Sequence, residues 1–279
     1  MKSRVWVTCV VLALLAGCKM DPFLYVPPRV TAYAFEPGAE DPAEAVSPDR
    51  VEELRLVVNE EVTLGAVYVR AEEQPPRGHV LYFHGAGSHL GLQFWRIKRM
   101  SNLGFDVLGI DYRGFGVSTD LTPTEAGIAE DTLAALNWLK QRAGDGPIIY
   151  YGHSFGTAAA TQRAEANPPD VLILESPLAS VEEFKSDSTR MDFPLSFIAE
   201  DTWDTADRVR SIHVPLFIAH GTDDQLIRVE FGQKVFANAN EPKELLLVEG
   251  GQHGDVLPVV QDRYSEFIDK HLPLVGSAP

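Results

Sequence analysis

Apolar positions along this chain follow two alternating rhythms. Short runs rich in β-branched and aromatic residues lie at 54–58, 62–69, 80–84, 107–110, 148–151, 171–174, 216–219 and 245–248, which is the length and make-up of buried strands. Between the later runs the spacing lengthens to the helical period, at 94–103, 126–142, 157–166, 204–212, 229–239 and 257–271. Strand then helix, repeated, predicts an α/β fold: a mostly parallel, eight-stranded sheet with helices on both faces. Only a short turn separates the first two runs, so they are expected as an antiparallel edge. No fixed-period repeat or low-complexity tract breaks the pattern. In such a sheet ligands and reacting groups gather beyond the carboxyl ends of the strands.

Upstream of the first strand the pattern differs. Lys2 and Arg4 precede an apolar run at 5–16 and then small residues, the three-part arrangement of a secretory signal. The run is shorter than the about 20 residues needed to span a bilayer. Its end, Leu15-Ala16-Gly17-Cys18, resembles the bacterial lipobox. That resemblance implies removal of residues 1–17 and acylation of Cys18, hence a protein lipid-anchored in a bacterial cell envelope. Lys19 after the cysteine implies the outer membrane, facing the periplasm, in a Gram-negative cell. The plainer alternative is an ordinary signal peptide cut nearby, with Cys18 a free thiol. Residues 18–50 carry Pro22, Pro27, Pro28, Pro37, Pro42 and Pro48 and read as a tether. Its aromatic residues, Tyr25, Tyr33 and Phe35 among them, leave open whether part of it packs on the folded body. The domain is expected over 51–273, with a tail at 274–279.

Composition narrows the function. At 279 residues, 45% hydrophobic and 23% charged, the chain can bury one sizeable core. Its formal charge is -16 and becomes -18 once Lys2 and Arg4 leave with the signal, which argues against nucleic-acid partners and against membrane attachment through basic residues. Both cysteines, Cys9 and Cys18, precede the domain. The domain therefore has no disulfide, no thiol nucleophile and no cysteine metal ligand.

The fifth strand runs directly into Gly152-His153-Ser154-Phe155-Gly156 and a small-residue helix. A G-x-S-x-G at a strand-to-helix junction holds its serine on a tight turn, clear of the backbone. As a bare pattern it is weak, and a glycine-rich turn with a capping serine is the bland reading. A serine nucleophile needs a base oriented by a carboxylate. After the seventh strand comes His220-Gly221-Thr222-Asp223-Asp224, and after the eighth Gly250-Gly251-Gln252-His253-Gly254. His253, in a glycine-rich loop before the last helix, is the candidate base. Asp223 and Asp224 are both available as the acid, with Glu175 at the end of the sixth strand an outsider.

Five motifs in this order, His84-Gly85-Ala86-Gly87, Asp111-Tyr112-Arg113-Gly114-Phe115-Gly116-Val117-Ser118, the serine turn, His220 to Asp224 and Gly251-Gln252-His253, resemble the α/β-hydrolases over residues 54–272. The resemblance is strongest to the branch of monoacylglycerol-lipase-like, lysophospholipase-like and serine-aminopeptidase-like enzymes. It implies a triad of Ser154, His253 and Asp224, the acid standing four residues after the histidine of the H-G turn, with Asp223 as the alternative. It also implies an oxyanion hole from the backbone N–H groups of Phe155 and Ala86, with Gly85 the other choice for the second donor. The 111–118 loop is expected to be structural, with Asp111 and Arg113 bonding nearby backbone. The segment 176–214 has room only for a small cap, around Phe184, Phe193 and Phe197.

The expected activity is hydrolysis of carboxylic esters, small or lysolipid-like, through an acyl-serine, with no cofactor and no metal. A serine peptidase or thioesterase is the alternative, and a tethered binding protein that kept the shape without the activity is a third. The acyl substrate and, through Cys18, the membrane are the partners; oligomeric state is not legible.

Overall fold

The computed structural model describes residues 29–35, 44–187 and 201–272. Residues 1–17, Cys9, Cys18, Phe193, Phe197 and the tail at 274–279 lie outside the described residues. Among the described residues eight strands, β1 (Val51–Val57), β2 (Thr63–Val69), β3 (His79–Phe83), β4 (Asp106–Ile110), β5 (Ile148–His153), β6 (Val171–Glu175), β7 (Leu216–Gly221) and β8 (Lys243–Val248), alternate from β3 onward with helices. The helices are α1 (Leu90–Asn102), α2 (Glu125–Ala143), α3 (Phe155–Ala166), α4 (Val181–Asp187), α5 (Thr205–Arg208), α6 (Val229–Asn238) and α7 (Leu257–His271). The short α4 answers to no periodic segment in the sequence, and the helix expected at 204–212 is one turn of α-helix followed by a 3-10 turn at Val209–Ser211.

The strands form one sheet in the order β1-β2-β4-β3-β5-β6-β7-β8. β1 and β2 are antiparallel, as are β2 and β4, and every later pairing is parallel. The twofold alternation of strand side chains divides the core between the two faces. On β5, Ile148 and Tyr150 join one cluster with α2, α3 and α6, whereas Ile149 and Tyr151 join the other with α1 and α7. β3 divides the same way, Leu81 and Phe83 against Val80 and Tyr82. Both faces are apolar because both are covered, which explains the near-continuous hydrophobic runs.

Part of the segment read as a tether packs on this body. Phe35 lies 4.7 Å from the Phe94 ring of α1, Val46 is buried, and Glu44 pairs with Arg99 at 3.0 Å. Among the described residues no helix is long and apolar enough to cross a membrane.

Candidate active site

β5 ends at His153 and α3 begins at Phe155, so Ser154 is the whole turn between them. It takes φ 57° and ψ -127°, a conformation costly for a residue with a Cβ and held only where its surroundings enforce it. The enforcing contacts are visible. Ser154 N–H donates to Glu175 O at 2.9 Å, and Ser154 O accepts from Thr157 N at 2.9 Å and from Thr157 Oγ1 at 2.6 Å. The flanking glycines allow the closeness: a Cβ on Gly156 would stand 2.0 Å from Phe83 O, and one on Gly152 would stand 2.6 Å from Gly156 O. Any side chain at either position would push α3 off the sheet.

The structure brings three of the candidate residues into one line. Ser154 Oγ lies 2.9 Å from His253 Nε2, and His253 Nδ1 lies 2.8 Å from Asp224 Oδ2. A carboxylate only accepts, so the proton belongs on Nδ1, and the Nε2 lone pair faces the serine hydroxyl. Asp224 is buried while its neighbour Asp223 is exposed. The Oδ1 atom of Asp224 also accepts from Leu226 N and Ile227 N, each at 2.9 Å, and His220 Nε2 stands 3.4 Å from Oδ2. Burial pushes this carboxyl up, but the bonds from His220, His253 and Ile227 N–H outweigh it and hold the group well below the usual carboxylate range. Asp224 is therefore ionised at neutral pH.

The β7 turn and the His253 loop are tied together as one unit. Asp223 N donates to Gly251 O at 3.0 Å, and Gly250 N donates to Thr222 Oγ1 at 2.8 Å. Ala86 and Phe155 are buried, and Phe155 opens α3, at the helix end where N–H groups point outward. The neighbouring Gly85 borders the serine, since a Cβ there would stand 3.2 Å from Ser154 Cβ and 3.5 Å from its Oγ. On the cap side, Phe184 of α4 is buried, and Trp203 stacks edge-on against Phe155 with ring centres 4.7 Å apart.

Arg96 and His153 were not singled out as functional in the sequence, and Glu175, Arg113 and Asp111 take the following places. Glu175 is not a rival acid: it is wholly buried and paired with Arg96 NH1 at 2.6 Å. It also accepts from the hydroxyls of Tyr151 at 2.7 Å and Tyr264 at 3.1 Å. Arg96 in turn donates to Gly254 O at 3.1 Å, so this ion pair holds the backbone next to His253. His153 Nε2 lies 3.1 Å from His253 O. Burial, with Arg96 and His253 adding to it, pushes His153 well below the ordinary histidine range, so it is neutral and its Nε2–H is available to donate. The one signal in the sequence was a glutamate closing an apolar strand, which demands a buried cation. Arg113 bonds mainly to the Asp131 carboxylate, at 2.7 Å, rather than to backbone, whereas Asp111 does accept from a backbone group, Leu90 N, at 2.9 Å. No cluster of histidine, cysteine and acidic residues fit to hold a metal occurs among the described residues.

The chain is similar to known proteins in sequence and in fold. Residues 74–195 match a family described as serine aminopeptidase, S33. The chain is 35% identical over 187 residues to lysophosphatidylserine lipase ABHD12 of Xenopus tropicalis, an alignment covering 60% of this chain and 48% of that protein. It is 29% identical over 205 residues to human protein ABHD12B, covering 62% and 55%. The chain thus spans about half the length of these curated relatives. Among solved structures, Est1E of Butyrivibrio proteoclasticus with bound ferulic acid superposes with TM-score 0.67 at 18% identity, covering 78% of this chain and 98% of that one. An esterase of Pyrococcus furiosus gives 0.66 at 20% identity, covering 88% and 99%. At such identities these two structures speak for the fold.

Proposed function

We propose that this chain, an α/β-hydrolase, cleaves carboxylic esters through an acyl-enzyme on Ser154. The observation that carries the reading is the continuous Ser154–His253–Asp224 hydrogen-bond line at 2.9 and 2.8 Å. In the first step Ser154 Oγ bonds the substrate carbonyl carbon as its proton passes to His253 Nε2. The carbonyl oxygen gains the electron pair and is met by the N–H groups of Phe155 and Ala86. Collapse breaks the bond to the alcohol oxygen, which takes the proton back from His253. Water then attacks the acyl-serine by the same route, again with His253 as base. Asp224, ionised and buried, orients the imidazole and stabilises its cation.

An active-site fluorophosphonate should label the wild-type protein covalently and leave Ser154→Ala unlabelled. Wild-type protein that neither labels nor hydrolyses activated esters would leave only the binding-protein reading. The lysophosphatidylserine lipase name of the relatives favours lysolipid esters. The family description of residues 74–195 favours instead a serine aminopeptidase. Esters of graded acyl length, assayed beside aminoacyl amides, separate the two: preference for the longer acyl esters supports the lipase-like reading, and preference for amides sinks it.

The second part of the proposal is an envelope anchor through acylated Cys18. Its support is the register of basic start, apolar run and Leu15-Ala16-Gly17-Cys18. Several acyl chains at about 0.8 kcal/mol per buried CH₂ hold a protein far more firmly than one. In fractionated cells Cys18→Ser is expected to move the protein from membrane to soluble fraction; retention on membranes would count against the anchor.

A further inference from the structure

The segment 29–35 does more than lie on the body. Val30 N donates to Gly116 O at 3.1 Å and Arg29 NH1 donates to Ser118 O at 2.9 Å, which fixes the segment along the loop after β4. From there the Tyr33 ring turns inward beside His89, and its hydroxyl donates to Asp111 Oδ2. The pit that receives it is built by two glycines from different elements. A Cβ on Gly65 of β2 would stand 2.4 Å from the Tyr33 hydroxyl, and one on Gly116 would stand 2.9 Å from that hydroxyl and 1.7 Å from Asp111 Oδ2. Neither position has room for a side chain: Val117 crowds Gly65 as closely as Tyr33 does, and Asp111 crowds Gly116 more closely.

Asp111 leads from this socket toward the reacting serine. It is wholly buried, and its other oxygen, Oδ1, accepts from Leu90 N at 2.9 Å and stands 3.1 Å from Nε2 of the equally buried His84. His84 opens the loop that carries Gly85 and Ala86, and its own carbonyl accepts from the Tyr112 hydroxyl at 3.2 Å. Its ring is wedged against Tyr112 and Phe115, with centres 4.5 and 5.2 Å away. Gly85 borders Ser154 Oγ. Movement of the Asp111 carboxylate therefore passes to His84 on one side and to the start of α1 on the other, the two ends of the oxyanion loop.

We infer that Tyr33 is a positioning residue for the active site: seated between Gly65 and Gly116, its hydroxyl holds Asp111, and through His84 holds the Gly85–Ala86 loop at Ser154. The inference rests on the esterase reading, because the loop matters for turnover only if it binds an oxyanion. Two physical points support it. A buried carboxylate left with one acceptor oxygen unfilled shifts to find another donor. A displacement well under 1 Å at an oxyanion donor is felt in rate, since about 1 Å of misplacement costs roughly 100-fold. Burial and the Asp111 charge also keep the Tyr33 hydroxyl protonated far above neutral pH, so it remains a donor. The segment leading to the proposed anchor is by this account a working part of the enzyme.

The test uses the full chain with Tyr33→Phe, which keeps the ring and removes only the hydroxyl. The expected result is kcat lower by roughly tenfold with KM within about twofold. A trifluoromethyl ketone, which forms a tetrahedral oxyanion on the serine, should bind weaker by the same roughly tenfold factor. Active-site titration with the fluorophosphonate should still reach the wild-type end point, which a merely loosened fold would not give. In an Asp111→Leu background, which leaves the hydroxyl no polar partner at position 111, Tyr33→Phe should add nothing further. Unchanged kcat and ketone affinity would overturn the inference, as would a fall in kcat matched by lost titre, or an equal fall in the Asp111→Leu background. Wild-type protein that fails to label would overturn the esterase reading instead, so the two failures are distinct.

Discussion

Asp224→Asn is expected to lower kcat by about 10⁴-fold, while Asp223→Asn stays within about twofold of wild type. The two residues are adjacent, yet one is buried against His253 and the other faces solvent. The asparagine fits the space without a cavity. Its oxygen keeps the bonds from Leu226 N and Ile227 N, which occupy Oδ1 in the native protein, so its amide group is left facing His253 Nδ1. An amide N–H cannot accept a proton. Nδ1 must then become the acceptor, which puts the imidazole proton on Nε2, opposite Ser154 Oγ. The serine loses the lone pair that was to take its proton, and the imidazolium loses its counter-charge. Steady-state hydrolysis of a p-nitrophenyl ester, normalised by folded protein, reads both variants. Loss of turnover in Asp223→Asn alone would mean that the acid has been assigned to the wrong residue of the pair.

The contrast shows where the sequence was informative. The sheet was legible because burial on both faces makes the strands apolar throughout and leaves the helices a 3.6-residue period, and both signals are local. The serine turn was legible because Ser154 sits between a strand end and a helix start only one residue apart. The choice of Asp224 over Asp223 was not local: it came from resemblance to a family pattern. Its physical reason is that Asp224 Oδ1 receives Leu226 N and Ile227 N, so the same turn that buries this carboxylate also aims it. Nothing in the periodicity of residues 29–35 marks Tyr33, whose partner Asp111 lies 78 positions away. The short α4 escaped for a different reason, since seven residues give too few turns for a helical period to stand out.

Arg96 is the clearest case of a residue that local pattern hides and energetics exposes. Replacing it by Leu is expected to cost about 3–5 kcal/mol of stability, because Glu175 would be left charged at full burial without its partner. For a domain of this size that is a fall of roughly 6–20 °C in melting temperature. Two features place it at the upper end. The pair is drier than any surface bridge, with side chains 1% and 0% exposed. Its removal also strips Tyr151 of a second contact, since Arg96 NH1 donates to that hydroxyl at 2.8 Å. The pair Arg96→Leu with Glu175→Leu should recover part of the loss, because no unpaired charge then remains, though the Tyr151 and Tyr264 hydroxyls lose their acceptor. Catalysis should suffer in the single and the double variant alike. Both lack the donor to Gly254 O, so the His253 loop keeps only His153 Nε2 on His253 O among the side-chain contacts described for its backbone carbonyls. Urea titrations of the three forms give the stability order, and ester turnover of the folded fraction gives the catalytic one. A single variant within about 1 kcal/mol of wild type would show that water or rearrangement satisfies Glu175, and full activity in the double variant would show that the His253 loop holds itself without Arg96.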